Sequence, residues 1–166
     1  MPTLADALLP EFDHETNTTR RLLERLPEAR LDWAPHPKSM RLGPLAAHLS
    51  NVVGWGLTTL TADGFDMAAS PPPAPATSKD ALLDGYDEIV RKTRAALVGR
   101  SDADLMAPWS LRNGRDVMFT MPKVAVWRSF VVNHLIHHRG QLSVYLRLQD
   151  VAVPSIYGPS ADEQPQ

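Results

Sequence analysis

"NHLIHHRGQLSVYLR", residues 133–147, is the stretch on which the reading of the whole chain turns. It lies in the longest segment with helical periodicity, running from Pro122 to about Asp150. With His134 set at zero and each residue advanced by about 100°, His138 falls about 40° away. Trp127, Val131, Gln141 and Tyr145 fall within about 60° of the same direction. One side of a long helix therefore carries two histidines among residues expected to face a core. His137 lies about 60° to the other side, beside Phe130 and Leu148, at the edge of this stripe.

Three further segments share the period. Residues 3 to 26 place Leu8, Phe12, Thr19, Leu23 and Leu26 on one side, and Pro27 closes the segment. "RLGPLAAHLSNVVGWGLTTL", residues 41–60, starts a second helix, with Gly43 and Pro44 suited to a cap and first position. Its stripe is Leu45, His48, Leu49, Val52 and Trp55. Thr77 or Ser78 caps a third helix that ends near Gly99. Between the second and third helices, residues 63–78 are rich in proline and read as a long surface connection. A second long connection, residues 100–122, contains "WSLRNGRDVMF", whose Asn-Gly pair between two short runs predicts a hairpin. The tail from about residue 158 reads as frayed. The chain is thus expected to be all-α, a four-helix bundle over residues 1–166 in one domain, with a short hairpin before the last helix. Connections this long imply at least one crossover.

Composition removes several classes of function. The 166 residues carry 17 basic and 19 acidic side chains, a net charge of -2, which lacks the basic excess of a phosphate-backbone binder; nucleic acid is not expected as a partner. There is no cysteine, hence no thiolate metal site or cysteine nucleophile. The N-terminus does not resemble a secretory signal and no apolar run reaches membrane-spanning length, so a soluble cytoplasmic protein is expected.

An isolated i, i+4 histidine pair is ordinarily two hydrogen-bonded core residues. His48 changes that balance. It stands mid-stripe on another helix, where leucine would be cheaper, and three inward histidines from two helices are more easily satisfied by one cation than separately. Imidazole suits zinc, nickel, copper or iron, and three protein ligands leave the coordination sphere open for water or substrate. A metalloprotease helix would need glutamate where Leu135 stands, and neither a serine elbow nor a Gly-rich phosphate loop occurs. No catalytic acid, base or nucleophile stands out. His14 is expected on the solvated face of the first helix and His36 in a loop. Asn51, one turn beyond His48, is placed to orient a ligand, line a pocket or form an ordinary polar flank, Gln141 lies on the inner arc, and Trp55, Trp127 and Tyr145 are candidates for a substrate wall or plain core residues. Arg139, about 140° from His134, is expected at the surface or against a partner.

"LGPLAAHLSNVVGW" (42–55), "NHLIHHRGQLSVYLR" (133–147) and "VPSIYG" (153–158) together resemble the DinB-like family, helical bundles related to thiol transferases. The resemblance spans nearly the whole chain. It implies an up-down-down-up bundle with a long crossover between the second and third helices, and a divalent metal, nickel or zinc, on His48, His134 and His138. It implies a small-molecule substrate, a low-molecular-weight thiol as cosubstrate, and a homodimer. A metal-dependent transfer of such a thiol to a small electrophile is the leading expectation. A hydrolase using metal-bound water and a non-catalytic metal-binding stress-response protein are the alternatives.

Overall fold

The computed structural model describes residues 1–70 and 78–164. The proline run at 71–77, with the candidate cap Thr77, lies outside the described residues, as do the last two positions. Four helical stretches form the bundle: α1 (Leu4–Leu23), α2 (Leu42–Thr61), α3 (Lys79–Leu97) and a composite last helix. That last helix joins α5 (Lys123–Val126), a π-helical segment (Trp127–Val132) and α6 (Asn133–Leu148). A four-residue helix, α4 (Asp102–Leu105), precedes the strands.

Local chemistry sets the helix ends. Thr3 and Asp6 form a reciprocal capping box on α1, and the Ser78 hydroxyl accepts from the Ala81 N–H to start α3. α2 begins earlier than its glycine and proline suggest. The Leu42 and Gly43 amides donate to the Trp33 and Leu31 carbonyls at 2.8 Å each, so the loop satisfies amides that a polar side chain would otherwise cap.

Helix directions follow from which residues meet. Arg20 pairs with Asp87 and Arg94 with Asp13, so α1 and α3 run antiparallel. Gly54 faces Ile89 and Gly56 faces Thr93, so α2 and α3 run parallel. His48 meets His134 while Gly56 meets Trp127, so α2 opposes the last helix. Two parallel neighbours in succession require a long return, and the connection through residues 62–78 has that length. The core between the helices is built on Leu22, Leu49, Val53, Tyr86, Trp127 and Leu142.

The chain is not all-α. β1 (Gly64–Asp66), β2 (Pro108–Asn113) and β3 (Asp116–Pro122) form a three-stranded sheet in the order β1-β2-β3. The expected hairpin is present: β2 and β3 pair antiparallel, and Gly114 takes φ 60° at the first of the two loop positions between Asn113 and Asp116. β1 joins the other edge of β2 in parallel, with Gly64 opposite Ser110. Three residues are too short for a period-2 pattern to stand out, which is why β1 reads as loop. Among the described residues no helix is long and apolar enough to cross a membrane.

The tail to residue 164 is also more ordered than its composition suggests. Arg147 pairs with Asp162 and Arg21 with Glu163, and Asp162 accepts the Val153 N–H at 2.9 Å. The Ser160 hydroxyl donates to the Val153 carbonyl at 2.6 Å, closing the turn. Asp162 and Glu163 thus find ionic partners on α6 and α1.

Candidate metal centre

α2 and α6 run antiparallel side by side and each turns histidine toward the other. His48 Nε2 lies 3.3 Å from His134 Nε2, which lies 2.8 Å from His138 Nε2. The three donor atoms all fall within 4.8 Å of one another. Tetrahedral bonds of about 2.0–2.1 Å put ligand nitrogens about 3.3 Å apart, so this spacing fits one transition-metal ion. No carboxylate joins the cluster among the described residues. The donor set is neutral imidazole only, open on one side.

The protonation state suits a ligand role. Burial, with charge repulsion from His138 and His134, pushes the His48 imidazolium down to about 4. His134 is also lowered, by burial first and then by His138, and the Phe130 backbone partly offsets this. His138 is lowered chiefly by burial, against the opposing effect of its hydrogen bond to Gln141. Neutral rings with free lone pairs are what a metal needs. Gln141 Oε1 lies 2.7 Å from His138 Nδ1; as acceptor it fixes the proton there and leaves Nε2 free to bind.

The histidines do not point at the centre of the bundle. All three are half-buried, and the most buried face of α6 is Leu135, Arg139, Leu142 and Leu146. On a helical projection this face is centred about 110° from His134. The histidine cluster therefore sits at the rim of the core, half-open to solvent. Arg139 occupies the middle of the core face, opposite to the surface position expected for it. It is 1% exposed, with Nη1 2.6 Å from Glu15 Oε2 and 3.1 Å from the Glu15 carbonyl. The Tyr157 hydroxyl lies 2.8 Å from both Glu15 carboxylate oxygens and accepts from Arg139 Nη2 at 2.6 Å. The expectation failed because nothing in a helical projection reveals a buried carboxylate 124 positions away.

The pocket candidates divide. Trp55, 38% exposed, stands edge-on to the cluster, its ring 6.2 Å from that of His48 and 5.5 Å from that of His134. Asn51 is half-buried one turn from His48 on the same helix and makes no side-chain hydrogen bond among the described residues. Trp127 packs at 5.3 Å against Phe12, and Tyr145 meets the edge of Trp33 at 5.6 Å; both are buried in the core. The π-helical segment, with its wider turn, breaks the 100° count that aligned Trp127 with His134. His137 is exposed and stands outside the cluster, as its edge position predicts, and His14 and His36 are exposed as well.

What the sequence did not disclose is an apolar cavity beside the cluster. Its lining includes Trp55 from α2, Phe65 from β1, Trp109 and Leu111 from β2, Phe119 from β3 and Phe130 from the π segment. The aromatic residues at 65, 109 and 119 lie in stretches read as loop or hairpin, and only the sheet brings them to one place.

Comparisons with known proteins agree with this architecture. The DinB family matches residues 1–166. An uncharacterized protein of Bacillus subtilis, YrdA, is 28% identical over 159 residues, covering 95% of this chain and 90% of its own. Among solved structures, a DinB-like protein from Bacillus cereus superposes with a TM-score of 0.71 at 25% identity, covering 93% of this chain and 98% of the other. A DinB-like protein from Bacillus subtilis, YjoA, gives a TM-score of 0.68 at 20% identity, covering 95% and 98%. The latter likeness is one of fold.

Proposed function

This chain belongs to the DinB family, and we propose that it is a metal-dependent transferase that joins a low-molecular-weight thiol to a small electrophile. The observation that carries the reading is the cluster of His48, His134 and His138: three neutral imidazole donors at metal-ligand spacing, at the rim of the core with one side open. Nickel or zinc fits such a donor set. A divalent cation held there would supply Lewis acidity, lowering the pKa of a thiol or water that reaches it.

The chain's own residues have definable parts. His48, His134 and His138 hold the ion, and Gln141 keeps the His138 proton on Nδ1. Trp55 walls the approach to His48 and His134. The protein contains no cysteine, so the reacting sulfur must come from a cosubstrate. In the overall reaction the thiol loses its proton, a sulfur–carbon bond forms, and the leaving group departs with its bonding pair and takes up a proton. Where the electrophile is a conjugated double bond, no group leaves and the proton ends on the neighbouring carbon.

Elemental analysis of freshly purified protein is expected to find stoichiometric nickel or zinc, lost in His48→Ala and His134→Ala. A panel of thiols and electrophiles should then show product formation that disappears in His134→Ala. Protein that takes up no metal overturns the reading. Protein that takes up metal but consumes no thiol with any electrophile supports a non-catalytic metal-binding bundle instead.

A further inference from the structure

The cavity between α2, the sheet and the π-helical segment has a volume of about 50 Å³ and an almost entirely apolar lining. We infer that it seats a short alkyl arm of the electrophile, with Trp55 as the residue that positions this arm beside the three histidines. The assignment rests on the metal-dependent transfer proposed above and names the class of its acceptor.

Three observations converge on an aliphatic occupant. Two threonines line the cavity, but Thr58 donates to the Gly54 carbonyl at 3.3 Å and Thr59 to the Trp55 carbonyl at 2.8 Å. Their hydroxyl protons are engaged within α2 and almost no polar surface faces the cavity, so a polar group entering it would lose water and find little to replace it. Size then separates chain from ring. An engineered cavity of ~150 Å³ admits benzene, and this one is about a third as large, which limits the occupant to a few carbons and excludes a peptide side or helix. Placement makes the link to chemistry. Trp55 lines the cavity and also stands 6.2 Å from His48 and 5.5 Å from His134, ring to ring. Phe130, from the π-helical segment, also lines the cavity and lies one turn before His134 on the same composite helix. An alkyl group seated here holds the atom beyond its far end close to the donor nitrogens.

The polar side of the centre differs in kind. Gln141 lies beyond His138 on α6, at the end of the histidine stretch farther from Phe130, which suits a hydrophilic thiol cosubstrate there. The acceptor is therefore a small electrophile with about two to four saturated carbons next to its reactive centre.

Ligand-observed NMR with a series of 1-alkanols, from ethanol to 1-heptanol, tests the cavity without any reaction. Affinity is expected to rise about fourfold per methylene over the first members and then level off, with benzyl alcohol binding no better than ethanol. Thr58→Phe, which fills the cavity, should weaken 1-butanol at least tenfold. Phe119→Ala, on the half-exposed face of β3, should move the plateau to longer chains and admit benzyl alcohol; it also serves if Thr58→Phe fails to fold. Affinity that climbs steadily to 1-heptanol, benzyl alcohol that binds as well as 1-butanol, or a plateau unmoved in Phe119→Ala overturns the inference. The same titration on His134→Ala separates the two proposals, because alkanol binding there does not depend on a metal. A wild-type protein that binds short alkanols but takes up no zinc or nickel keeps the cavity and overturns its assignment to a metal-centred acceptor.

Discussion

Gln141 and His137 lie on the same helix as the clustered His134 and His138, and the difference between them is one hydrogen bond. Gln141 holds His138 in the tautomer that exposes Nε2, whereas His137 stands edge-on to the His138 ring, 4.8 Å between centroids. Gln141→Leu is therefore expected to weaken zinc binding about 10–100-fold, and His137→Ala to leave it nearly unchanged, as measured by competition with a chromophoric chelator. Arg139 makes the opposite kind of contribution. Its guanidinium and the Glu15 carboxylate are both withdrawn from water, so Arg139→Met strands a buried charge and is expected to cost about 3–5 kcal/mol in urea denaturation. The double variant Arg139→Met with Glu15→Leu should recover much of that loss, since two apolar side chains leave no unpaired charge. The histidine triad was legible in the sequence because a polar residue in an apolar stripe is conspicuous and three of them share one explanation. Arg139 was not, because an arginine is commonplace on any helix and its partner is fixed only by tertiary packing.

Among the elements, the helices were legible and the smallest strand was not. Hydrophobic period and capping residues located α1, α2 and α3 to within a few positions, and the Asn-Gly pair located the hairpin. β1 depends instead on a contact that no local pattern encodes: a Cβ at Gly64 would sit 2.5 Å from the Ser110 carbonyl oxygen across the sheet. Gly64→Ala is expected to destabilise by about 1–3 kcal/mol and to detach β1. Gly85, inside α3 with nothing within 4 Å of where a methyl group would stand, should behave oppositely. Gly85→Ala is expected to stabilise by up to about 1 kcal/mol, because alanine orders less unfavourably in a helix. Chemical denaturation of the pair reads both signs in one experiment. The C-terminal turn adds a pH dependence. Hydrogen bonds from Arg147 and then the Val153 N–H hold Asp162 below its ordinary value of 3.8. The unfolded or detached tail binds the proton more readily, so this contribution is complete above that value and is lost as the pH falls below it. Hydrogen exchange of the Val153 amide should be slow at neutral pH and accelerate in strong acid, and in Asp162→Asn it should already be fast at neutral pH.

For the molecule as a whole, four helices and a covering sheet produce a site that no single element contains. The bundle was legible because its helices are long and periodic; the sheet's aromatic lining was not, because Phe65, Trp109 and Phe119 come together only through pairing of distant strands. A ligand that bridges α2 and α6 stabilises the folded chain and not the unfolded one. Free zinc or nickel at about a hundred times its dissociation constant is expected to add about 2.7 kcal/mol. For a domain of this size that raises Tm by about 5–10 °C, readable by differential scanning fluorimetry and absent in His48→Ala. The separation of 86 positions between His48 and His134 also bears on speed. An ion there ties together two ends of a long loop, and such distant contacts form late on the way to the folded chain, after the costly closure has been met. Loading the centre should therefore leave the refolding limb of a chevron nearly where it was and slow the unfolding limb, so that the ion sets how long a folded molecule lasts and has little influence on how soon it forms.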